Sequence, residues 1–73
     1  MKIPSKQALE ALKAKYPEGC RVELVQMVDT QAPPKGTKGT VLGVDDIGSI
    51  MVQWDNGSGL HVLYGVDVCR RCD

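Results

Sequence analysis

The hydrophobic period of this chain changes once, at Cys20, from 3.6 residues to 2. Side chains recur on one face every 3.6 residues in a helix and every second residue in a strand, so neither pattern serves the other. The switch divides the chain into a short helical opening and a longer β remainder.

Residues 5–16 are predicted to be the helix. Pro4 stops helix from propagating upstream, and Ser5 is a good N-cap whose hydroxyl can accept from an unpaired N–H of the first turn. The run K-Q-A-L-E-A-L-K-A-K consists of strong helix formers. Leu9, Leu12 and Tyr16 form its apolar stripe, and Lys13 and Lys15 suit the negative end of the helix dipole. Pro17 and Gly19 end it. A helix this short is marginal alone, so it must dock on the β portion.

Beyond Cys20 the alternation predicts five strands, at residues 21–27, 39–44, 49–54, 59–63 and 66–70. A long loop at 28–38 carries Asp29, Pro33, Pro34 and Gly36, and tight turns are expected at 45–48 and 64–65. Asn56-Gly57 is a strong hairpin signal. Gly39, Gly43 and Gly59 fall inside strand patterns, where they suit bulges or sharp bends. Five short strands with one long loop fit a small, strongly bent barrel. The predicted fold is therefore α+β, mainly β: residues 1–73 as a single domain, with the helix capping a barrel at 20–72. Its expected core is Leu9, Leu12, Val22, Leu24, Val41, Ile50, Val52, Trp54, Leu60, Val62 and Val66.

With 73 residues, of which 42% are hydrophobic and 25% charged, the chain has ordinary globular composition. No stretch approaches the roughly 18 apolar residues of a membrane span. The opening M-K-I-P-S-K-Q lacks the apolar core of a signal peptide, so a cytoplasmic protein without a membrane partner is expected. Nine basic residues balance nine acidic ones, whereas a nucleic-acid binder usually carries positive excess. The balance is uneven: residues 1–38 hold seven basic and four acidic groups (+3), and residues 39–73 two and five (−3).

Several blocks carry a family resemblance: Y-P-E-G-C-R-V-E-L-V at 16–25, A-P-P-K-G-T-K-G-T-V at 32–41, G-V-D-D-I-G-S-I-M-V-Q-W-D-N-G-S at 43–58 and G-V-D at 65–67. Together they resemble a bacterial and phage family of short proteins known only as a domain of unknown function. The resemblance spans nearly the whole chain and implies an origin on phages or mobile elements. More loosely, G-x-x-G-x-V followed by a strand ending W-D-x-G is similar to SH3-like barrels, including KOW modules of translation and transcription proteins and small barrels of some ubiquitin ligases. This implies a fold and no particular activity. The chain departs from the family at Cys20, where Thr is usual, and at Cys69 and Cys72, where apolar residues are usual. The family brings no catalytic or binding residues to carry over.

Cys69-Arg70-Arg71-Cys72 has C-x-x-C spacing. A structural zinc site wants four ligands, and Cys20 and His61 are the other soft ligands that would complete a Cys₃His set. A redox pair of the thioredoxin type would sit at the start of a helix after a strand, and no helix is expected after Cys72. The simpler reading makes Cys20 and Cys69 small buried hydrophobes and Cys72 a tail thiol, and no metal or cofactor is expected. His61 alternates with Leu60 and Val62 and belongs on a wet strand face. Asp45, Asp46 and Asp55 read as turn formers. G-T-K-G-T lacks the spacing of a phosphate loop, and no nucleophile–His–Asp pattern exists, so no enzymatic activity is expected.

What remains is binding. The 28–38 loop sits where SH3-like barrels carry a recognition loop, and Trp54 would lie beside it. Pro33, Pro34, Lys35, Lys38 and Trp54 are the expected partner-binding residues. The reading is a non-enzymatic module for a protein partner, an accessory or regulatory protein of a phage or mobile element. The alternative is a KOW-like nucleic-acid module using Lys35, Lys38, Arg70 and Arg71 on phosphates.

Overall fold

The computed structural model describes residues 3–72. It contains one helix, α1 (Lys6–Lys15), and four strands, β1 (Arg21–Gln26), β2 (Lys38–Val44), β3 (Ile50–Trp54) and β4 (Val68–Arg71). The strands form one antiparallel sheet in the order β3-β2-β1-β4.

Alternation along the strands decides what the sheet buries. Val22 and Leu24 of β1, Val41 of β2, Ile50, Val52 and Trp54 of β3, and Cys69 of β4 all lie on the inner face and are buried. Arg21, Glu23, Lys38, Thr40, Gln53 and Arg70 alternate with them on the outer face. The register carries the inner layer across the sheet: Leu24 faces Cys69, Val22 faces Gly39, Gly39 faces Trp54, and Val41 faces Val52. Gly39 is the one position in this layer without a side chain. A Cβ there would lie 2.6 Å from Val52 Cγ1 and 2.9 Å from Trp54 Cε3, so the glycine makes room for the indole. Irregular registers between Val41 and Gly43, and between Leu24 and Gln26, bend the sheet.

Four strands form where five are predicted, and the sheet does not close. The reason lies in the hairpin after β3. Trp54 N–H donates to Ser58 O at 3.0 Å, and Ile50 and Val62 exchange a pair of bonds at 2.8 and 2.9 Å. Both ends of the hairpin thus keep one register. Its middle pair would be Val52 with Leu60, but the Leu60 carbonyl accepts instead from Trp54 Nε1–H at 2.7 Å. Burying an indole requires a partner for its N–H, and taking that partner from the neighbouring segment reduces the strand predicted at 59–63 to a single bridge.

Helix α1 starts as predicted, with Ser5 Oγ accepting from Ala8 N–H at 3.2 Å. Its role in the core is smaller than predicted. No residue of α1 is buried; Leu9 and Leu12 are half-buried, with Leu12 packed against the edge of the core. The buried anchor is Tyr16 at its C-cap, joined by Cys20. Leu60 is also only half-buried, and Val66 is 40% exposed because it lies in a turn rather than a strand. Among the described residues no helix is long and apolar enough to cross a membrane.

Candidate functional site

The structure separates the residues expected to bind a partner. Trp54 is 1% exposed and fills the core beside Val52. Pro33 is buried as well. Pro34 and Lys35 are exposed at the loop tip, and Lys38 is exposed on the outer sheet face. The expected groove between the loop and Trp54 therefore does not form. The loop itself is well held: Gly36 N–H donates to Leu24 O and Leu24 N–H to Thr37 O, and the Thr37 hydroxyl donates to Pro34 O.

The basic residues of the nucleic-acid alternative are also dispersed. Lys38, Glu23 and Arg70 are register partners across β2, β1 and β4, so an acid sits between the two bases. Arg70 donates to Glu23 Oε1 from both Nε and Nη2, at 3.2 and 3.0 Å. Arg71 lies on the inner face and donates from Nη1 to Lys15 O at 3.0 Å. Arg21 forms a forked pair with Asp55 (2.9 and 2.5 Å) and also donates to Thr40 Oγ1. Its guanidinium holds the Asp55 carboxyl below the ordinary carboxylate range.

Cys20 and Cys69 are buried and Cys72 is exposed, none in a disulfide. Residues three apart in a strand point to opposite faces, which puts Cys69 inside and Cys72 outside. His61 is exposed. Among the described residues no three His, Cys, Asp or Glu side chains gather to hold a metal ion. Burial pushes the Cys69 thiol up to about 11 and the neighbouring Tyr16 phenol in the same direction. Neither group is poised for chemistry near neutral pH. Asp45 closes the β2–β3 turn, its Oδ1 accepting from Ile47 and Ser49 N–H. Among the described residues no buried side-chain nitrogen or oxygen lacks a hydrogen-bond partner.

Two concavities of the described residues lie on either side of Leu63 and Asp67. The larger, about 340 Å³, lies at the root of the long loop and is lined chiefly by Met27, Val28, Leu60, Leu63 and Val66, with Asp29 and His61 also on its wall. Val28 is 69% exposed and Val66 40%. The smaller, about 250 Å³, is bounded by Leu12, Lys15 and Tyr16 of the helix end and by Ile50, Val62 and Tyr64. Asp67 fixes the wall between them. Its Oδ1 accepts from Val28 N–H at 2.9 Å and its Oδ2 from Leu63 N–H at 3.0 Å, joining the start of the loop to the turn before β4. The sequence reading missed this residue. The signal was an aspartate two places after Gly65, in the G-V-D block, where its carboxylate could cap a turn.

A family model described as a domain of unknown function, DUF4314, matches residues 5–72. The chain belongs to that family. No curated protein and no solved structure matches the chain. The DUF4314 match runs from the helix cap Ser5 to Cys72, so the helix, all four strands and both concavities fall within the family's domain.

Proposed function

We propose that this DUF4314 domain is a non-enzymatic binding module that takes a protein partner in the groove at the root of the long loop. The observation that carries the reading is the groove itself: an apolar lining of Met27, Val28, Leu60, Leu63 and Val66 with two exposed valines. Apolar surface left open beside polar residues is what a docking site needs and what a packed core would cover. The paired state of Arg70 and the balanced Lys38–Glu23–Arg70 row favour a protein over a nucleic acid. The satisfied buried polar groups and the raised thiol favour binding over catalysis. We read the bent sheet with its Ile50–Val62 bridge as an incompletely closed SH3-like barrel. We read it as a cytoplasmic accessory protein of a phage or mobile element; the phage or mobile-element part rests on the sequence resemblance alone.

The test is a pair of amide NMR titrations of the full chain. Indole, standing in for an aromatic anchor, is expected to shift Val28, Leu63 and Val66. A mixed-sequence oligonucleotide at low salt is expected to leave Lys35, Lys38 and Arg70 unmoved. Oligonucleotide shifts on those residues, reversed by salt, would replace this reading with the nucleic-acid one.

A further inference from the structure

We infer that the segment bound in this groove is a peptide presenting a large apolar side chain flanked by lysine or arginine. The inference rests on the groove being the binding site and names what fits it. The first observation is charge. The groove wall includes Asp29 and Asp67 and no lysine or arginine. Among the described residues, Glu23, Asp46 and Asp55 form ion pairs; Asp29 and Asp67, like Glu10, Glu18 and Asp45, do not, and of these five only Asp29 and Asp67 line the groove. Asp29 is exposed and accepts from Gln31 N–H through Oδ1. A carboxylate has about four acceptor sites, so a cation beside the groove finds room on it without displacing that bond. A basic group on the partner meets attraction there, and an acidic one meets repulsion.

The second observation is size. At about 340 Å³ the groove is at the small end of ligand pockets, which run roughly 300–1,000 Å³. That volume suits one anchoring side chain. The third is the aromatic inventory. The chain has one Trp, two Tyr and no Phe; Trp54 and Tyr16 are buried, and Tyr64 is half-buried on the wall of the other concavity. Interfaces draw much of their energy from aromatic anchors in desolvated pockets. Here the domain supplies the pocket, and the partner supplies the anchor.

Three hexapeptides with a central Leu-Trp test this, flanked on both sides by Lys, by Glu or by Ser, each titrated into the labelled full chain. The Lys peptide is expected to shift the amides of Val28, Leu63 and Val66 and to bind at least tenfold more tightly than the Glu peptide. In Asp29→Asn, which keeps the oxygen that accepts from Gln31, that preference is expected to fall at least threefold, with the thermal midpoint unchanged. Equal binding of all three peptides at the groove would overturn the charge assignment and leave the groove as the binding site. No shift at the groove with any peptide at millimolar concentration would overturn both.

Discussion

Trp54 and Gly39 illustrate how single residues set this structure. The indole sits over a backbone with no side chain and donates to Leu60 O, so its burial and its hydrogen bond depend on the same placement. Adding one methyl group should be felt. Gly39→Ala is expected to destabilise the protein by about 1–3 kcal/mol, as overpacked cores do, seen as a lower urea midpoint at unchanged slope. A midpoint equal to the parent's would mean that Val52 and Trp54 yield without strain. Asp67 is the second such residue. Asp67→Asn replaces one of two acceptors by a donor facing an N–H, and a loss of about 1–3 kcal/mol is expected. Amide exchange should speed up at Val28 or Leu63 and not within the helix; protection unchanged at both sites would remove the bracing role from Asp67.

At the scale of elements, the helix end guards the edge of the sheet. Cys72 N–H donates to Arg21 O, so alternation turns the backbone groups of Cys69 and Arg71 away from β1, toward the open edge. The Tyr16 hydroxyl donates to Cys69 O at 3.3 Å, and the Arg71 side chain reaches back to Lys15 O. An edge strand is thereby blunted by side chains rather than by another strand. The same junction sets an alkaline limit. An unfolded thiol ionises near its ordinary 9.0, and buried Cys69 near about 11. The stability this group contributes is full below about pH 9 and is lost as the pH rises toward 11, because the unfolded chain releases its proton first. Tyr16, shifted in the same direction, adds to the loss. The thermal midpoint is expected to fall across that window, and to fall less steeply in Cys69→Ala. An equal slope in the two proteins would mean that Cys69 does not carry the effect.

Across the whole molecule, charge is balanced in number, and three ion pairs lie at the surface of the described residues. Arg21–Asp55, Glu23–Arg70 and Lys13–Asp46 all involve solvent-exposed groups, and such pairs contribute little. Raising NaCl from 50 mM to 0.5 M is expected to move the thermal midpoint by less than about 4 °C. A larger drop would give the outer-face pairs a share of stability that apolar burial is here assigned. Acid acts on one of these same pairs. Asp55 is held below its ordinary 3.8 by Arg21, so its contribution is present above that pH and fades as the pH falls through the folded value.

Much of the fold was legible along the chain because it depends on neighbours in sequence. Ser5 caps the helix, period-2 alternation marks β1 to β3 and chooses their buried faces, and Asp45 closes its turn through its own carboxylate. β4 was placed two residues early, since 66–67 belong to the turn that Asp67 caps. The strand expected at 59–63 does not form because the Trp54 indole competes for the Leu60 carbonyl, a choice made only when the ring is buried. The candidate site was illegible for a related reason. Its lining comes from residues 27–29 and 59–67, two segments that no local pattern links, brought together by Asp67 accepting across 39 positions of sequence. Local periodicity determined which residues face inward, and tertiary packing decided which apolar residues were left uncovered, because a groove is what remains after distant segments have satisfied their own backbone groups.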